Sequence, residues 1–178
     1  VLLSVSGLRL SPERRVLIIL VFIIEEAGEN YATMDETIRT AIMERVSREG
    51  YAEKMGLKLV ELASGRAVVE MVPQKDDENI FGMVHGGAIF SLMDEAFQIS
   101  CNSHGRVAVA LNVNVTFHAP APFNQLLRAE STECHRSKKT ATYQITVTDE
   151  TGTLIASCQA LAYRKKERLP FLAAPQVS

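Results

Sequence analysis

No stretch of this chain suits a membrane-spanning helix. The longest apolar run, Val16 to Ile24, has nine residues, where about 20 are needed. Nor is there an excess of charge. With 19 Lys and Arg against 21 Asp and Glu the formal charge is −2, so no global attraction draws the chain to a polyanion, and nucleic acid is not the default partner. Cysteine is scarce: Cys101, Cys134 and Cys158 are odd in number and far apart. They fit neither a disulfide framework nor a paired-cysteine zinc site, and they point to a reducing, cytoplasmic setting. His85, His104, His118 and His135 lack ligand spacing, so no metal is expected. Internal repeats and low-complexity stretches are missing too.

What is present is an ordinary globular mixture, 47% hydrophobic and 22% charged over 178 residues, enough for one domain with extra segments. Arg9, Arg14 and Arg15 precede the apolar run, but Glu25 and Glu26 follow it where a secretory signal needs a small-residue cleavage site. Residues 1–33 therefore read as a leader outside the working protein, with Met34 as a plausible native start. From Asp35 the spacing of Ile38, Ala41, Ile42, Val46 and Tyr51 predicts an amphipathic helix within 34–54. The main domain is expected over 55–166 and a tail over 167–178.

Within that domain, strands are predicted at 57–62 and 66–72, joined by a short turn at 63–65, and then at 107–118, 126–134, 140–148 and 153–163. Between the second and third lies a helix starting near Ala88 that is apolar on most sides. At 100° per residue Ile89, Leu92, Ala96 and Ile99 share one face, while Gly87, Ser91, Asp94 and Gln98 form a narrow polar strip on the other. Six strands with one long apolar helix imply an α+β fold, an antiparallel sheet wrapped around a central helix.

The polar strip is the candidate site. Gly86 and Gly87 open the helix, where backbone N–H groups have no intrahelical partner and carry the positive end of the helix dipole. Such an end holds an anion or a developing oxyanion. With His85 beside it and Asp94 along the helix, a carbonyl polariser and a base or nucleophile are combined, which is the equipment of acyl-group chemistry. Taken singly, each residue has a plainer reading: a tight turn for the glycines, a cap for His85, solvated charge for Asp94-Glu95. The basic stretches His135 to Lys139 and Arg164 to Lys166 suit either solvated turns or the phosphates of a nucleotide-bearing substrate.

The run from Asn79 to Asp94, N-x-F-G-x-V-H-G-G-x-x-F-S-L-x-D, is followed by Ala96-Phe97, Cys101-Asn102-Ser103 and the strand Asn112-x-Asn114-x-Thr116-Phe117. Together they resemble the hot-dog-fold acyl-CoA thioesterases of the PaaI-like group, over about 50–166. The resemblance implies a hot-dog fold and a dimer, or a dimer of dimers, joined sheet edge to sheet edge. It implies that Asp94 acts as general base or nucleophile, that the Gly86 N–H polarises the thioester carbonyl, and that Asn79 and His85 orient these parts. Gly87, Phe90, Ser91, Phe97, Asn112, Arg136, Lys138 and Lys139 are the expected substrate contacts. Acyl-CoA is the expected partner, and coenzyme A enters as part of that substrate rather than as a cofactor. Some relatives place a Ser or Thr near Ala110, where this chain offers no hydroxyl. A non-catalytic acyl-CoA-binding module and a hot-dog dehydratase are the alternatives. The acyl group itself, aryl or medium-chain, is left open.

Overall fold

The computed structural model describes residues 34–172, so the leader expected over 1–33 and the end of the tail lie outside the described residues. Helix α1, Glu36–Val46, starts where Asp35 Oδ1 accepts the N–H groups of Thr37 and Ile38 at 2.8 and 3.4 Å, an N-cap that relieves two orphan donors. The single helix expected over 34–54 is in fact two. After Val46 the Ser47, Arg48 and Glu49 amides bond back to Met43, Arg45 and Val46, and α2, Gly50–Met55, sets off anew. The last two are three-residue bonds, which tighten the final turn and satisfy carbonyls that a continuing helix would have used. Gly56 ends α2 in the left-handed region, φ 66°, a conformation that glycine adopts without strain.

Six antiparallel strands follow: β1 (Lys58–Ala63), β2 (Arg66–Met71), β3 (Arg106–Phe117), β4 (Leu127–Arg136), β5 (Thr140–Asp149) and β6 (Leu154–Arg168), with the long helix α3 (Gly86–Asn102) between β2 and β3. Their order in the single sheet is β1-β2-β4-β5-β6-β3. This is the hot-dog arrangement. Alternate residues of the strands turn inward, among them Ala67, Val69, Leu127, Ala129, Tyr143, Ile145, Val147, Ala156 and Ala160, and they close on Ile89, Leu92, Met93, Ala96, Phe97 and Ile99 of α3. Small residues on both sides let the helix lie close to the sheet, as where Ser100 Oγ meets Ser131 Oγ at 2.7 Å with both residues buried. None of the described helices is long and apolar enough to cross a membrane.

Two strand details differ from expectation. β6 runs to Arg168, and Leu169 is buried with its N–H on the Gly105 carbonyl, so sheet and core extend past residue 166 into the expected tail. In β3, Ala110 pairs with Ala162 but Asn112 with Leu161, which leaves Leu111 as a bulge. A bulge inverts the inside-outside alternation beyond it. Val113 and Val115 therefore join the core, while Asn112 faces away from α3 into a cleft with Thr142, Gln144 and Gln159.

A polar hub closes one end of the barrel-like wrap. Glu133 on β4 accepts from Tyr143 OH at 2.6 Å and Arg136 Nε at 2.9 Å, and it lies 2.7 Å from His104 Nε2, whose Nδ1 is 3.2 Å from Ser64 Oγ. Burial opposes the Glu133 charge, but the bonds from His104, Tyr143 and Arg136 outweigh it and hold the carboxyl down to about 2. A carboxyl depressed below its unfolded value adds stability above the unfolded pKa and loses it as pH falls toward the folded one. Glu133→Gln should therefore cost about 1–3 kcal/mol in urea unfolding at pH 7, and the gap from wild type should close between pH 4 and pH 2.

Candidate active site

The loop before α3 is built around Asn79. Its Oδ1 accepts the N–H groups of Phe81 and Met83 at 2.9 and 3.2 Å, and its own N–H bonds to the Met83 carbonyl at 2.8 Å. Gly82, at φ 74°, makes the reversal possible. The loop delivers His85 as the N-cap of α3: its N–H bonds to Asp77 O at 2.7 Å and its Nδ1 accepts the Gly87 N–H at 2.8 Å. An accepting Nδ1 places the ring proton of a neutral imidazole on Nε2. The amides of Ala88 and Ile89 turn back to the His85 carbonyl. That leaves the Gly86 N–H as the first-turn donor with no hydrogen bond among the described residues.

Both glycines are needed for space. A Cβ on Gly86 would stand 3.3 Å from the Phe117 ring, and one on Gly87 would stand 3.0 Å from His85 Nδ1. The Gly86 tip opens on a cleft of about 360 Å³ walled by Met83, Ile89, Phe117 and Ala119 to Ala121. An electrophile's oxygen can thus reach an unpaired N–H on the axis of a 17-residue helix, where the dipole favours negative charge.

Asp94 sits two turns further along α3, exposed on the same ridge as Phe90 and Gln98. Eight residues of helix separate Gly86 from Asp94 by about 12 Å along the axis. No single carbonyl group touches both within one chain. Burial first, and then the negative charge of Glu49, push the Asp94 carboxyl above its ordinary value. Its neighbour Glu95 is only 4% exposed. Gln98 Nε2 donates to Glu95 Oε2 at 2.5 Å and to both Glu49 oxygens at 3.1 and 3.2 Å, while Glu95 Oε1 has no partner among the described residues. Burial, then Glu49 and Asp94, push Glu95 up to about 7 against the opposing Gln98 bond. The first turn of α2 makes a second contact with this strip. Ser91 Oγ gives its proton to Gly87 O at 2.9 Å, so the Tyr51 hydroxyl 2.7 Å away donates to Ser91.

The structure thus brings Asn79, His85, Gly86 and Gly87 together and sets Phe90, Ser91 and Asp94 along the adjoining helix. It separates the remaining expected contacts from them. Phe97 is 2% exposed and stacks edge-on against Tyr143, a core position with no open face for substrate. Asn112 is on the far side of the sheet because of the Leu111 bulge. The guanidinium of Arg136 is held by Glu133. Lys138 and Lys139 lie in a basic cavity of about 270 Å³ with Arg106, Tyr163 and Arg164 to Lys166, at the end of β3 opposite Phe117 and Gly86. Glu49 was not foreseen as part of the site. The signal available for its neighbour was Glu95 itself, a carboxylate placed between Leu92 and Ile99 on the apolar face of α3.

Comparison with known proteins identifies the fold and family. The model of the thioesterase superfamily matches residues 81–156. A protein of Archaeoglobus fulgidus described as an esterase is 39% identical over 118 residues, 66% of this chain and 77% of that protein. The acyl-coenzyme A thioesterase PaaI of Escherichia coli is 31% identical over 113 residues, 64% of this chain and 81% of that protein. The solved structure of E. coli PaaI superposes with a TM-score of 0.73 at 26% identity, over 76% of this chain and 99% of that one.

Replacing Glu49 by Gln removes a negative charge facing both acids of α3, so the midpoints of Asp94 and Glu95 should both fall. Carboxyl-detected NMR titration of the two proteins measures this; unmoved midpoints would show that Glu49 exerts no such influence.

Proposed function

The chain belongs to the thioesterase superfamily, in its PaaI-like hot-dog branch, and on that premise we propose that it hydrolyses acyl-CoA thioesters at a site shared between two copies. The observation that carries the reading is the pairing of a free Gly86 N–H at the tip of α3 with a raised carboxyl two turns along the same helix. The Gly86 N–H and the helix dipole receive the thioester oxygen and stabilise the charge that grows on it. Asp94 takes a proton from water as the water attacks the carbonyl carbon, and the tetrahedral intermediate collapses with departure of the CoA thiolate, which is then protonated. Direct attack by the carboxylate would use the same geometry, and raised basicity aids either route. His85 acts by capping, holding the glycine tip in place, and Asn79 acts by shaping the loop that carries it. The reaction needs no group beyond the CoA that the substrate brings.

The 12 Å between tip and acid on one helix calls for a second copy. β3 offers the seam. It is an edge strand of twelve residues, paired on one side only, with Val109, Leu111 and Phe117 exposed by 40, 56 and 52%. Long apolar edges of this kind pair with another chain. Antiparallel pairing of β3 with itself about a twofold axis brings α3 of one protomer, with its tip, alongside the carboxyl of the other. The same operation carries the basic end of β3 toward the partner's tip. There Arg106 and Arg164 are oriented by the carbonyls of Lys166 and Ser137 at 2.5 and 2.6 Å, and the cluster of Lys138, Lys139, Lys165 and Lys166 suits the phosphates of CoA.

Asp94→Asn should keep the fold and lower kcat/KM for acyl-CoA, read as free thiol released, by about 10²- to 10⁴-fold. Gly86→Pro removes the N–H at the first helical position, where the backbone accepts proline; combined with Phe117→Ala, which clears the ring a Cβ would meet, it should be similarly inactive while Phe117→Ala alone keeps activity. Refolded together, the two inactive proteins should regain about a quarter of wild-type activity, because half of the dimers are hybrids and each hybrid holds one intact site. No recovery from two folded variants would place both groups in the same protomer's site.

A further inference from the structure

A cavity of about 430 Å³ begins where the catalytic ridge of α3 continues past Asp94. Gln98 and Asn102 follow Asp94 at intervals of four residues, so the three side chains stand in one row along the helix, and the last two line this cavity. Its other walls are mostly apolar: Ile42 and Val46 of α1, with Arg45 and Glu49 as the charged exceptions, and Leu169 and Phe171 after β6 lie outside residues 81–156, whereas Ile99 and Val107 lie within them. The Gln98–Glu49 bridge forms the mouth on the Asp94 side, so the carboxylate there is already engaged by an amide. The volume lies in the ordinary range for a small-molecule site.

Resting on the thioesterase reading, we infer that this cavity receives the acyl tail of the substrate and selects unbranched aliphatic acyl groups of medium length. A thioester carbonyl beside Asp94 has about 12 Å of helix to follow before Asn102, the span of roughly nine or ten extended carbons. Each methylene taken from water into such a wall strengthens binding about fourfold. The gain stops where the cavity of about 430 Å³ is filled. Because α1 and the residues after β6 supply walls but no catalytic group, the preference can be altered there without touching α3.

The test is kcat/KM across acetyl-, butyryl-, octanoyl-, decanoyl- and palmitoyl-CoA, on wild type, Val46→Phe and Phe171→Ala. Wild type should rise by a few-fold per methylene to about ten carbons and then level or fall. Val46→Phe fills the cavity and should cut the decanoyl-to-acetyl ratio by about tenfold or more. Phe171→Ala, at a position 39% exposed where folding tolerates change, should lower the same ratio by a smaller factor. Binding of decanoyl-CoA and of CoA alone to the Asp94→Asn protein, followed by calorimetry, reads the cavity without turnover. A tail that adds affinity there, lost on adding Val46→Phe, supports the cavity even if no thioester is hydrolysed. Hydrolysis that is lost with Asp94→Asn but shows a length profile unchanged by Val46→Phe and Phe171→Ala overturns the inference and leaves the hydrolase reading intact.

Discussion

The rigidity of one helix governs this protein. Gly86 and Asp94 are fixed by α3 at about 12 Å from each other, and a hydrogen-bonded helix buried in a sheet does not bend to close that gap. An oxyanion donor and a base that must meet on a carbonyl group a few ångströms across can do so only if each comes from a different helix. On the proposed hydrolase reading this calls for a second copy, and the sheet order supplies a long strand, β3, unpaired on its outer side. The six-strand wrap holds that helix rigidly from several directions.

Burying that helix creates the chemistry it carries. A helix that must be apolar on nearly every side has few places for charge: Asp94 takes the polar strip, Glu95 is buried beside it, and Glu49, just before α2, brings a third carboxylate up to them. The proton affinities of Asp94 and Glu95 rise, through burial first and then through the nearby negative charge of Glu49. Gln98 lies between two of the carboxylates and supplies donors to both. The oxyanion end has the opposite character. There no charged group is needed, because one peptide N–H freed by the His85 cap faces the cleft and the aligned peptide dipoles stand behind it.

Much of this was legible in the residues because it depends on local pattern. The valine alternation marks β3, the glycines mark the tip of α3, and the lone polar strip marks Asp94. What could not be read depends on events that a periodic pattern hides. One extra residue at Leu111 reverses the faces of β3, sending Asn112 outward and Val113 inward. The helix expected through residue 54 breaks because Ser47, Arg48 and Glu49 find carbonyl partners in the turn behind them, which no apolar spacing records. Phe97 carries the same apolar signal whether it lines a pocket or fills a core, and contact with Tyr143 decides for the core. Glu49 is 45 residues before Asp94 in sequence, and only the packing of α2 against α3 brings their charges together.

The division between core and flanks has a physical basis. Polarising a carbonyl and removing a proton from water tolerate little displacement, since a shift of about 1 Å can cost a hundredfold in rate. Those functions sit on α3 and its capping loop, inside the region that matches the superfamily, where sheet and helix hold them from several directions. Recognising a hydrocarbon tail is more forgiving, because each methylene contributes independently and no single contact is essential. Walls made by α1 and the residues after β6 can change in depth without moving Asp94 or Gly86. On the proposed reading, such a fold can keep one reaction while its acyl preference is set by segments that the catalytic geometry does not constrain.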